Sequence, residues 1–113
     1  MRDDYKIFKK GQFELPQFEF EDQAPENTYY AELGKDSKEN LRYGIFKMER
    51  NFIDGGFYPF DEVIIILKGS VKIRFGKSIE SLNEGDIIEI KKGSHPILEA
   101  EGSVELFFVS YYI

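Results

Sequence analysis

Apolar and polar residues alternate with a period of two along much of this chain. Between Ser70 and Phe75, Val71, Ile73 and Phe75 are separated by Lys72 and Arg74, which predicts a strand with one buried and one wetted face. Val63 to Leu67 is apolar at every position and predicts a strand covered on both sides. Gly, Asn, Asp and Pro interrupt the pattern about every eight to twelve residues from Asn27 onward, the spacing of an all-β sandwich or barrel. The candidate strands are Thr28–Leu33, Leu41–Asn51, Glu62–Lys68, Ser70–Phe75, Lys77–Leu82, Asp86–Lys91, Ser94–Ala100 and Val104–Tyr112. No window keeps a helical period over three turns, so the expected fold class is all-β.

Residues 1–26 read differently. Phe8, Phe13, Phe18 and Phe20 sit among charges, and Pro16 and Pro25 prevent a long central strand. A tail this rich in aromatics is expected to be an extended arm laid on the barrel or on a neighbour. The barrel itself is expected over residues 27–113. Within it Gly34–Asn40 forms a polar connector.

Length and composition narrow the classes. The 113 residues suffice for one domain, and eleven Phe and seven Tyr can bury enough area for a single core. The net charge is −6 with no basic run, which argues against nucleic acid as a partner. The longest apolar run is far too short to span a bilayer, and no secretory signal pattern opens the chain. Without cysteine there is neither a disulfide framework nor a thiolate nucleophile, and a cytoplasmic protein is expected.

Two blocks then direct attention to a family. GGFYPFDEVIIILKG, from Gly55 to Gly69, and GDIIEIKKG, from Gly85 to Gly93, resemble the paired motifs of a cupin barrel. Glu62 and Gly69 hold the spacing of the first motif, but Gly55, Gly56, Phe57 and Tyr58 stand where that motif carries histidines. In the second, Lys91 replaces a proline and Pro96 occupies the histidine position. His95 falls one residue short, and a one-residue slip turns a strand side chain to the other face. YGIFKMERNFIDGGFYPFDEVIIILKGSVKI, GDIIEIKKGSHPIL and VELFFVSYY together are similar to the ethanolamine-utilisation cupins, over roughly Tyr43 to Tyr112. That resemblance implies a conical jelly-roll barrel, a homodimer and the absence of the usual metal triad. It also implies a place beside a bacterial microcompartment and an acetate kinase activity attributed to the group.

The residues themselves suggest where chemistry could lie. Glu62 shares a strand face with Ile64 and Ile66, so its carboxylate is expected at an apolar, partly desolvated barrel mouth. There it could act as a general acid or base, or serve as a hydrogen-bonded structural group. Asp61 points the other way if the strand is regular and reads as a ligand contact or a turn acid. On Leu41–Asn51, Tyr43, Lys47 and Glu49 share one face, which is either a polar cavity wall or a solvated exterior. Tyr58 offers a hydroxyl at a position that metal cupins fill with a ligand, or simply lines the mouth. His95, the one histidine, is a candidate acid–base group beside Glu62 or a plain turn residue. Lys92, next to Lys91 and before Gly93, could hold an anion or stay solvated. One histidine cannot build the usual cupin metal site, so no metal or other cofactor is expected, and oxygen ligation of Mg²⁺ or Ca²⁺ is the remote alternative. Three functions follow: a metal-independent cupin that binds or converts a small polar or anionic metabolite, a dimeric accessory module, or a weak metal cupin. Val63 to Leu67, with Tyr111 and Tyr112, is the expected dimer surface.

Overall fold

A computed structural model describes residues 28–35, 38 and 40–112, together with the isolated Lys9; the expected arm over residues 1–26 otherwise lies outside the described residues. The described chain is all-β, as the alternation predicts. Its strands are β1 (Thr28–Lys35), β2 (Leu41–Asp54), β3 (Asp61–Phe75), β4 (Ser78–Asn83), β5 (Ile87–Ile90) and β6 (Pro96–Tyr111). All pairings are antiparallel, in the order β1-β2-β6-β3-β4. β5 and β4 share the free edge of β3: β5 pairs Glu62 to Ile65 and β4 pairs Ser70 to Phe75. Among the described residues the ladder does not close into a ring. No described helix is long and apolar enough to cross a membrane.

Three expected boundaries shift, each for a physical reason. The chain crosses Gly69 without leaving the sheet, so two expected strands become the single β3. Ser94–Ala100 and Val104–Tyr112 likewise merge into β6 through Gly102. β1 runs on into the expected connector as far as Lys35, with a bulge between Glu32 and Gly34. Gly34 is suited to that place because a Cβ there would stand 2.2 Å from the phenol oxygen of Tyr43.

Bulges let these long strands fold over one core. β2 shifts register between Glu49 and Asn51, where Arg50 takes a positive φ of 46°. β3 shifts between Ile66 and Lys68 and again between Gly69 and Lys72. A bulge adds a residue on one strand, so the alternation of faces changes phase across it. Ile64 and Ile66 therefore point inward before the break, and Val71 and Ile73 after it. With Phe46, Met48, Ile90, Leu98, Ala100, Val104, Leu106 and Phe108 they make one buried cluster.

Candidate functional site

A cavity of about 270 Å³ opens at the end of the sheet where Glu62, Ser110 and Arg42 lie. The register puts these three in one row across three strands, since Arg42 pairs with Ser110 and Ser110 with Glu62. The next row inward is Gly44, Phe108 and Ile64, so apolar core begins directly behind the polar row. The loop between β2 and β3 closes one side with Tyr58, Pro59 and Phe60. That loop is tied to the β5–β6 turn by two backbone bonds, Tyr58 N–H to the Ser94 carbonyl and Gly93 N–H to the Tyr58 carbonyl, each 2.8 Å.

Glu62 is the buried acid of this cavity, with 8% of its surface exposed. Tyr58 Oη donates to its Oε1 at 3.1 Å and Ser110 Oγ to its Oε2 at 2.6 Å. Burial raises the Glu62 pKa above the ordinary carboxyl value, while the bonds from Ser110 and Tyr58 pull against that rise. Both donors are neutral hydroxyls, so they satisfy the oxygens without cancelling the charge. Tyr58 is held well above the usual phenol range by burial first and by the neighbouring carboxylate second. Tyr30 is likewise raised, mainly by burial.

Aromatic rings make much of the wall. Tyr30 stacks on Phe108 with centroids 5.4 Å apart, and Phe60 lies 4.8 Å from Tyr58 and 5.5 Å from Tyr112. Arg42 supplies the one cationic side chain in the lining among the described residues. Its Nε is buried without a hydrogen-bond partner, and the Glu32 carboxylate it faces is 3.8 Å away, too far for one.

The structure places the other candidates elsewhere. On β2 the inward face is that of Phe46 and Met48, so Tyr43, Lys47 and Glu49 lie on the outer face, away from the cavity. Tyr43 rests against Phe107 there, with centroids 6.4 Å apart, and Lys47 and Glu49 are exposed. Asp61 is buried on the outer face and accepts the backbone N–H of Lys92 at 2.7 Å, which gives it a structural bond to the β5–β6 turn. The Lys92 side chain is exposed and does not line the cavity. His95 is also outside the lining: its Nε2 donates to Asp54 Oδ1, and Phe57 packs 4.9 Å from its ring. That bond, with one from Gly56 N–H, lowers the Asp54 pKa.

This arrangement does not fit a cupin metal centre. Glu62 is bonded to two hydroxyls, and the imidazole of His95 is committed to Asp54. Pro96, at the histidine position of the second motif, is the buried first residue of β6. Among the described residues no group of three or more His, Cys, Asp or Glu could hold a metal ion. Arg42, Ser110 and Tyr30 are site residues that the motifs did not reveal. Their only signal is strand register, which needs the pairing partner.

The family model for the ethanolamine utilisation protein EutQ matches residues 16–113. The chain belongs to the EutQ family. Among solved structures, the putative EutQ of Salmonella typhimurium LT2 matches with a TM-score of 0.68 at 20% identity, over 74% of this chain and 68% of that one. The Clostridium difficile EutQ protein gives 0.67 at 23% identity, over 75% and 68%. A cupin superfamily protein of Desulfitobacterium hafniense DCB-2 gives 0.71 at 14% identity, over 89% of this chain and all of that one. At such identities the structural matches establish the fold, which is that of a cupin jelly roll. No curated protein matches the sequence.

Proposed function

We propose that this EutQ-family cupin binds a small organic metabolite inside the barrel, with Glu62 as the central polar contact. One observation carries the reading: a buried carboxylate, bonded only to neutral hydroxyls in the described site, borders an open cavity with aromatic walls. Burying a charge is costly, and the two hydroxyl bonds to Glu62 offset only part of that cost. A ligand that hydrogen-bonds or pairs with Glu62 offsets it. The carboxyl could also move a proton on a bound substrate, since its raised pKa brings it toward the working range of an acid–base group.

A thermal-shift panel of small metabolites tests this reading. At about ten times its Kd, a cavity ligand stabilises by ~1.4 kcal/mol, which raises Tm by about 5 °C or more in a domain of this size. Glu62→Gln is expected to remove most of that shift. If no metabolite moves the wild type, or the variant responds as the wild type does, the cavity is not a binding site.

The same proposal includes a homodimer formed through the outer face of the sheet. Phe107, Ile65 and Ile87 share one row there, and Val109 and Val63 lie in the next. Ile87 is 63% exposed. Beyond the apolar rows come Lys47, Glu105 and Lys68, a series of alternating sign that a two-fold axis could match to itself. Sedimentation equilibrium is expected to show a dimer for the wild type and a monomer for Ile65→Glu at micromolar concentration; a monomeric wild type refutes this surface. Association with a bacterial microcompartment belongs to the same reading and is supported by the family's link to ethanolamine utilisation.

A further inference from the structure

The cavity has two charged ends. Glu62 lies two strands from Arg42 in the same row, and neighbouring strands are about 4.8 Å apart, so the two backbones are separated by roughly 10 Å. Between them stands Ser110, whose short side chain leaves the space above the row open and whose hydroxyl is turned to Glu62. Arg42 and Glu62 both line the cavity, but among the described residues the carboxylate beside Arg42 is that of Glu32, 3.8 Å from its Nε, and not that of Glu62. Phe46, Leu98, Leu106 and Phe108 supply apolar surface alongside.

Each end lacks something. The buried Arg42 Nε has no acceptor within hydrogen-bond distance. An orphaned donor of this kind costs free energy, and an anionic oxygen would satisfy it with a charge-assisted bond. Glu62 has its oxygens bonded to hydroxyls but, among the described residues, no cation beside them. An ammonium among aromatic faces would be attracted by both the carboxylate and the ring quadrupoles. A singly charged molecule would leave either Glu62 without a cation or the Arg42 Nε without a hydrogen-bond acceptor.

Building on the cavity reading above, we propose that the ligand is a short ω-amino acid, its carboxylate on Arg42 and its ammonium on Glu62, with the methylene chain lying over Ser110 against the apolar wall. Ser110 keeps Glu62 aimed at the ammonium, and Arg42 selects against simple amines. The two charges of an α-amino acid share one carbon, too close together to reach both ends.

Calorimetric titration of the full chain with β-alanine, γ-aminobutyrate and 6-aminohexanoate, alongside butyrate, butylamine and glycine, tests the assignment. At least one ω-amino acid is expected to bind about tenfold or more tightly than the three controls. Arg42→Met should weaken that ligand to the level of butylamine, and Arg42→Lys, which restores the charge, should recover part of the loss. Glu62→Gln should weaken it to the level of butyrate. Thermal melts identify any variant that fails to fold, and the ranking of the six probes on the wild type decides the case without any variant. A control that binds as tightly as every ω-amino acid overturns the assignment, as does an Arg42→Met protein that folds and binds unchanged. If none of the six binds while another metabolite shifts the wild-type Tm in a Glu62-dependent way, the two-ended ligand is wrong and the cavity reading survives. If nothing in either assay binds, both fall.

Discussion

Replacing Gly69 with alanine is expected to cost about 3 kcal/mol or more, enough to leave this domain marginally folded. Two costs add. Gly69 has a φ of +77°, a conformation that disfavours an L side chain by roughly 1–2 kcal/mol. A Cβ at that place would also stand 1.9 Å from the Ser103 carbonyl oxygen and 2.9 Å from its carbon. Both are backbone atoms of the paired strand, so relief requires β3 and β6 to part where Gly69 pairs with Val104. That pairing lies between the two register shifts that turn β3 over the core, and Val104 is 1% exposed. Gly76 separates the two costs. Its φ is +60°, but a Cβ there would meet nothing within 4 Å, so Gly76→Ala should cost only about 1 kcal/mol. Urea unfolding of the two variants provides the comparison. Equal losses would mean that close contact with Ser103 does not constrain the native strand pair.

Phe108→Ala is expected to cost about 3 kcal/mol, near the lower end for removing a buried phenylalanine. The ring is 6% exposed, stacks on Tyr30 and lies in register between Gly44 and Ile64. Its removal forfeits the transfer of a large apolar surface from water. The space left would join the existing cavity, which Phe108 already lines, and water can enter there. The extra penalty for a sealed void is therefore small, and the transfer loss dominates. A decrease in Tm of roughly 12–24 °C follows for a domain of this size. Phe108→Leu keeps most of the volume and should lose under about 1.5 kcal/mol. A loss below about 1 kcal/mol for Phe108→Ala would show that the ring does not contribute to the core. Because Phe108 is also wall, the alanine variant should bind any cavity ligand more weakly at a temperature where it remains folded.

Much of the fold was legible from residue order. Strand existence follows from side-chain period and turn residues, both local, so nearly every expected strand has its counterpart. The places where strands were divided show the limit of local reading. Lys68-Gly69-Ser70 has turn chemistry, yet in the sheet it becomes a bulge, because β6 runs alongside and keeps β3 paired through the break. Whether a glycine ends a strand or bends it depends on the neighbour.

Two residues of the site are legible in the sequence, Glu62 and Tyr58, and both line the cavity. The alternation turns Glu62 inward with Ile64 and Ile66, and the fold keeps it there, since all three lie on the regular stretch of β3 before the bulge. The two faces of β2 were chemically balanced, with Tyr43, Lys47 and Glu49 on one and Arg42, Phe46 and Met48 on the other. Burial of Phe46 and Met48 decides between them, and Arg42 goes inward with that face. His95 stands one residue from the motif's histidine position and is a candidate only as the one histidine near it; in the fold it is bound to Asp54 at the end of β2, a residue far from it in sequence.

Strand content, the inward turn of Glu62 and membership of the EutQ family follow from residue order alone, because side-chain period and motif spacing are properties of one segment at a time. The face of β2 that lines the cavity, the partner of His95 and the row of Arg42, Ser110 and Glu62 emerge only when the strands pair. Those depend on register between strands, and register is set by what each strand can bury against its neighbours rather than by the order of residues along any one of them.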